Sequence, residues 1–140
     1  MKKPIFIFLI IITVTGISSS YVYFFIYNKP HQNIANATPT YTLTTEQLYT
    51  EYNTDEKKSD QKYLGKIIEI KGSISEIIND KTSITLEFKK EDDMGGVIVS
   101  LDSIYDQRYQ HLTIGQPIII KGVCVGKLTD VTINKGIIIK

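Results

Sequence analysis

"GKIIEIKGSISEI", Gly65 to Ile77, places Ile68, Ile70 and Ile74 on one face of an extended chain and Glu69, Lys71, Ser73 and Ser75 on the other. Such period-two alternation of β-branched residues predicts a strand with one buried face. Ile77 and Ile78 break the parity, which predicts a bulge or a strand end near Glu76. A near-echo, "GQPIIIKGVCVG", runs from Gly115 to Gly126. In both copies a glycine interrupts an isoleucine run, at Gly72 and at Gly122. A glycine inside a strand allows the bulge or close crossing that sharp coiling needs. These are the expected structural glycines, with the isoleucines as core and Lys71 and Lys121 as ordinary surface. The two surroundings share too little to argue for a duplicated unit.

Outward from this stretch, "SITLEFK" points Ile84, Leu86 and Phe88 inward, and "VIVSL" does the same with Val97, Val99 and Leu101. The charged, glycine-rich "KEDDMGG" joins them, and Asn79, Asp80 and Lys81 read as a turn. "SIYDQRYQHL" reads as a short helix with Ile104, Tyr105, Tyr109 and Leu112 on one stripe. "LTDVTINKGIIIK" supplies a last strand, bent near Asn134 to Gly136. Upstream, Thr44 or Thr45 can cap a helix whose Leu48, Tyr49 and Tyr52 recur at helical spacing. The order strand, strand, strand, helix, strand, strand is that of an OB-fold. The expected class is therefore all-β with short helices: a five-stranded Greek-key barrel over residues 43–140.

The N-terminal residues 1–30 differ in kind. From Pro4 to Tyr27 there is no charged residue, and at ~1.5 Å rise per residue this run spans a hydrocarbon core of ~30 Å. Tyr21, Tyr23 and Tyr27 gather at its far end, where amphipathic rings suit the headgroup layer. Lys2 and Lys3 ahead of the run predict a cytoplasmic N-terminus and a single-pass transmembrane helix, with the domain outside the cytoplasm. The alternative is a signal cleaved near Ser18 to Ser20, which would leave the domain secreted. Residues 31–42 are polar, aperiodic and contain Pro39, and read as a linker.

The tract from Leu43 to Ile139 resembles the tRNA-anti-like family of OB-fold proteins, which includes lipoproteins and membrane-anchored members. The resemblance is carried by "Leu48-Tyr49-x-x-Tyr52", "Lys62-Tyr63-Leu64-Gly65-Lys66", and "Ile120-Lys121-Gly122-Val123-Cys124-x-Gly126" with "Asp130-Val131". It implies no catalytic residue. This chain has no cysteine behind the apolar run for a lipid, so the run itself would hold it at a membrane.

Composition narrows the function. With Lys2, Lys3 and Lys29 set aside, residues after 30 hold 13 basic against 15 acidic side chains. That is the wrong sign for gripping phosphate backbones by bulk charge. One cysteine and two histidines argue against a cysteine or histidine metal site. Cys124 itself reads as a buried strand residue, and Glu91, Asp92 and Asp93 lack the spaced ligands of a calcium loop. Asp106, Ser103 and His111 are not spaced as a catalytic set, so no enzyme activity, cofactor or metal is expected.

OB-folds that bind single strands present aromatic rings on the outer face of their second and third strands. Here that face and its end carry Thr85, Glu87, Lys89, Lys90, Ile98 and Ser100, the expected ligand face. It has no stacking ring. The expectation is a non-catalytic module that binds a protein or an envelope polysaccharide, with a single-stranded nucleic acid as the disfavoured alternative.

Overall fold

The computed structural model describes residues 13–18, 20, 21, 23, 34–80, 83–101, 109 and 111–140. The chain divides into two units, Met1–Gln32 and Asn33–Lys140. In the first, residues 13–18 are helical, and Ser18 Oγ donates to the Val14 carbonyl at 2.9 Å. Among the described residues no helix is long and apolar enough to cross a membrane. Most of the proposed span, residues 4–27, lies outside them.

In the second unit the elements are β1 (Tyr41–Thr44), α1 (Thr45–Thr54), α2 (Glu56–Tyr63), β2 (Ile67–Ser73), β3 (Glu76–Asp80), β4 (Ser83–Phe88), β5 (Val97–Leu101), β6 (Pro117–Lys127) and β7 (Val131–Ile138). They form a mostly-β fold around a single seven-stranded mixed sheet in the order β1-β2-β6-β7-β5-β4-β3. Seven strands replace the expected five, for two reasons.

The first is that the stretch from Lys66 to Ile78 is two strands. β2 pairs antiparallel with β6, while β3 pairs antiparallel with β4 towards the other end of the sheet. Ile74 and Ser75 make the joint. The Ile74 N–H donates to the Gln116 carbonyl (3.1 Å) and its carbonyl accepts from Gly115 (2.7 Å), whereas the Ser75 N–H and Oγ both donate to the Glu87 carbonyl (2.8 Å each). One residue thus bonds to the β6 side and its neighbour to β4. The parity break at Ile77 and Ile78 records this division. Asn79 and Asp80, read as a turn, belong to β3; Lys81 lies outside the described residues.

The second is β1. The segment read as linker 31–42 is, from Ile34 onward, part of the domain: Ile34 is buried, the Thr40 N–H donates to the Ile67 carbonyl at 2.7 Å, and β1 runs parallel to β2. Lys121 ties down the residues that precede β1. Rather than facing water, this side chain is 8% exposed, and its ammonium donates to the carbonyls of Ala37 (2.8 Å) and Ala35 (3.3 Å). A buried ammonium needs such acceptors, and the aperiodic segment supplies them without secondary structure of its own.

The inward residues of the alternation form the core: Ile68, Ile70, Ile74, Leu86, Phe88, Val97, Val99 and Leu101 are all buried, with Ile84 among them. Gly122 faces Ile68 in the β2–β6 ladder, and the β6–β7 register shifts between Lys121 and Val123. A Cβ there would stand 2.5 Å from Ile133 Cγ2. At the bend in β7, Lys135 takes the left-handed φ of 55° and the parity of burial resets. Of the helix expected over 103–112, only Tyr109, His111 and Leu112 are described, and Tyr109 is buried in the core. Ile104, Tyr105, Ser103 and Asp106 lie outside the described residues.

α1 begins with a capping box. Thr44 Oγ1 accepts from the Gln47 N–H (3.1 Å), and Gln47 Oε1 accepts from the Thr44 N–H (3.0 Å), which satisfies two donors the helix start leaves open. Asp55 caps α2 in turn, accepting from the Lys58 N–H at 3.0 Å. Leu48, Tyr52 and Tyr63 anchor the helix pair in the core.

Candidate binding cleft

The structure separates the residues of the expected ligand face into two groups. Thr85 pairs with Ser100 and Glu87 with Ile98 across β4 and β5, and all four are half-buried. Their neighbours continue the face: Ile78 lies opposite Thr85, Glu76 opposite Glu87, and Thr132 opposite Ile98. No aromatic ring and no cation stands among these positions. Two glutamates directly opposite each other repel any anionic ligand as well as one another. This face is poorly made for a phosphate chain.

Lys89 and Lys90 belong elsewhere. β4 ends at Phe88, so they leave the sheet at its rim, where they meet the N-terminus of α1, the end of β2 and the start of β6. Together these elements enclose a cleft of about 700 Å³, within the usual range for ligand sites, ~300–1,000 Å³. Thr44, Thr45 and Tyr49 form one wall, Lys71, Gly72 and Ser73 a second, and Pro117, Ile118 and Ile119 a third; Phe88 lies at the base.

Gly72 sets how closely two walls of this cleft approach. A Cβ at that position would come within 2.6 Å of Thr45 Oγ1 and 2.9 Å of Phe88 Cδ1. The glycine therefore lets the first turn of α1 settle against β2. Opposite, Ser75 Oγ accepts from the Lys89 N–H at 3.0 Å and fixes the backbone where Lys89 departs.

Four lysines, Lys71, Lys89, Lys90 and Lys140, line the cleft against two acids, Glu46 and Asp93. Lys90 is paired with Glu46 at 3.0 Å, both well exposed. That contact holds the Lys90 ammonium above its ordinary pKa, with Asp93 adding a smaller push. Both acids thus act on one lysine. Among the described residues no ion pair neutralises Lys71 or Lys89, and both are exposed at the rim. An apolar base ringed by uncompensated cations can hold a molecule that carries both apolar groups and negative charge.

Sequence reading grouped Lys89 and Lys90 with the outer face of the second and third expected strands; β4 ends before them, and they line the cleft. Lys71, read as surface, is exposed, and Tyr49, read as helix packing, packs against the core; both also line the cleft, which local pattern does not show. The available signal was the capping threonine pair: it locates the first turn of α1, but which strand end that turn covers depends on long-range pairing.

Two other clusters are structural. Asp130 Oδ1 accepts from the Gly96 N–H (2.7 Å), closing "KEDDMGG" onto the start of β7. Beneath the helices, Tyr52 Oη donates to Asp60 Oδ1 (3.1 Å) and lies 3.4 Å from Cys124 Sγ. Cys124 is 1% exposed, and burial pushes its thiol pKa up, which keeps it an inert thiol. Among the described residues no group of three or more acids, histidines or cysteines could hold a metal.

Between the helices, Glu51 Oε2 accepts from Lys62 Nζ and Tyr63 Oη, each at 2.8 Å. The Lys62 hydrogen bond chiefly holds Glu51 below its ordinary pKa of 4.5. A carboxyl depressed by folding contributes stability that is present above the unfolded value and is lost as pH falls through the folded one. Melting temperature should therefore drop on acidification below about pH 4.5, and Glu51→Gln should flatten that part of the profile. The effect is small, because the pair is partly exposed. Superimposable acid limbs would contradict this role for Glu51.

The tRNA_anti-like family model matches residues 1–137. The chain belongs to the tRNA_anti-like family. No curated protein matches it. Among solved structures, this tRNA_anti-like chain is similar to a lipoprotein from Klebsiella pneumoniae subsp. pneumoniae MGH 78578, provisionally described as nucleic acid-binding. The two are 16% identical with a TM-score of 0.59, over 80% of this chain and 100% of the other. At that identity the likeness is one of fold. It agrees with the resemblance carried by the "Leu-Tyr-x-x-Tyr" helix and the Gly122 strand.

Proposed function

We propose that this tRNA_anti-like protein is a non-catalytic OB-type binding module, held at a membrane outside the cytoplasm by the apolar run 4–27, with a protein or envelope polymer as its ligand. The observation that carries the binding assignment is the cleft at the rim of the sheet, with Lys71 and Lys89 beside an apolar base. The non-catalytic reading rests on the sequence, in which Ser103, Asp106 and His111 are not spaced as a catalytic set, and on the burial of the one cysteine, Cys124. The anchor is supported by the 24 uncharged residues from Pro4 to Tyr27 behind Lys2 and Lys3. The lipoprotein nature of the Klebsiella neighbour points to the same compartment.

Protease added to the outside of intact cells should digest the domain and leave a membrane-embedded N-terminal fragment. Protection of the domain would reverse the orientation, and release of the intact domain into the medium would replace the anchor by a cleaved signal.

The neighbour's description also favours a second reading, a single-stranded nucleic acid as ligand. Against it stand the acidic, ring-free face of β4 and β5 and the net negative balance of the domain. A low-salt fluorescence titration with oligothymidine decides: salt-sensitive binding at about micromolar strength would favour the second reading.

A further inference from the structure

We infer that the cleft takes an acidic protein segment, one that lays an apolar side chain over Phe88 and Ile118 and offers carboxylates to Lys71 and Lys89. The inference rests on the reading of the cleft as the binding site and names its ligand class.

Three observations select this class. The interior is largely apolar: Tyr49, Phe88, Pro117, Ile118 and Ile119 all line it. A ligand made only of sugar hydroxyls or polyol phosphates would leave that surface unmatched, whereas a peptide brings apolar side chains on the same backbone as its charges. The rim is cationic, and Lys71 on β2, Lys89 just beyond β4 and Lys140 have no ion-pair partner among the described residues. Carboxylates flanking an apolar residue meet Lys71 and Lys89 at once, and the charge pattern selects against basic segments. Finally, Phe88 is 4% exposed, which leaves too little ring surface for a nucleobase to stack on.

The test is selection of a random-peptide phage library on the detergent-solubilised full chain, followed by titration of synthetic copies of the enriched peptides. Two variants accompany it: Lys71→Gln with Lys89→Gln in the cleft, and Lys57→Gln with Lys58→Gln on α2, which makes the same change in net charge away from the cleft. All four side chains are exposed, so folding is not at stake. The expected result is enrichment of peptides with acids flanking an apolar residue. Their affinity should fall about tenfold in the cleft variant, change less than about twofold in the control, and decline with salt.

Enriched peptides that lack an acidic bias but still lose affinity in the cleft variant would overturn the ligand class and leave the site standing. Peptides indifferent to the cleft variant would overturn the site itself. Equal losses in both variants, or no enrichment, would overturn the inference. Oligothymidine binding that is lost in the cleft variant would reassign the cleft to nucleic acid and overturn it as well.

Discussion

Replacing Gly122 with valine should destabilise the domain by about 3 kcal/mol or more, the upper range for overpacking a close-packed interior. A first added carbon already stands 2.5 Å from Ile133 Cγ2 and 3.0 Å from the Asn134 carbonyl oxygen, and one of those neighbours is backbone. The side chain of Ile133 is fully buried and has no room to turn away. Strands β6 and β7 would have to separate at the point where their register already shifts. Gly72→Ala makes the informative comparison. Its nearest obstacle is the Thr45 side chain at 2.6 Å, which lies at the more yielding start of a helix, so about 1–2 kcal/mol is expected. Urea unfolding of the two variants checks the order. Equal midpoints would contradict the assignment of Gly122 to the tighter crossing.

Tyr52→Ala should cost about 3–5 kcal/mol, the range for removing a buried aromatic side chain. Tyr52 is 1% exposed and packs at a ring-centroid distance of 6.2 Å from Tyr63, which itself meets Tyr41 edge-on at 5.1 Å. Losing the ring loosens the hold of α1 and α2 on the sheet and leaves Cys124 beside a cavity. Tyr52→Phe keeps the ring and forfeits only the hydroxyl's contacts with Asp60 and Cys124, for about 1 kcal/mol. Against a typical domain stability of ~5–15 kcal/mol, the alanine variant sits near the threshold of folding. Circular dichroism melts of the pair separate ring from hydroxyl. An alanine variant as stable as the phenylalanine one would show that the helices are not anchored through this ring.

These two positions also show what was legible before the structure. Alternation identifies the buried faces of β2, β4 and β5 because burial on one side of a strand imposes period two whatever the strand pairs with. It also marks the division near Glu76, where the parity shifts and Ile77 rather than Glu76 or Ile78 packs against the core. The echo glycines mark places where two backbones approach closely. Which backbones meet is a property of pairing between distant segments, and local pattern carries no record of it. Lys121 is the plainest case. Its position in the alternation reads as outward, on the face opposite Ile118 and Ile120, yet the segment from Ile34 to Thr40 lies over it. That segment has no periodicity, so its docking is invisible until Lys121 is seen donating to Ala35 and Ala37.

The same division applies to the site. Lys89 and Lys90 stand out as cations at a strand end, but the cleft exists only because α1, β2 and β6 converge there. Its remaining lining residues are separated by up to about a hundred positions in the chain and share no motif. A ligand held in this cleft at the rim of the sheet would leave the outer face of β4 and β5, with its opposed glutamates, free of binding duty.

Site-specific photo-crosslinking tests this account most directly. A benzophenone amino acid placed at Lys89, at Lys71 or at Ser100 in the full chain, and activated in the cells that make it, reports which surface meets a ligand. The account predicts one common adduct from positions 71 and 89 and none from position 100. Adducts from Ser100 with none from Lys71 or Lys89 would contradict it and return the binding surface to the outer face of β4 and β5.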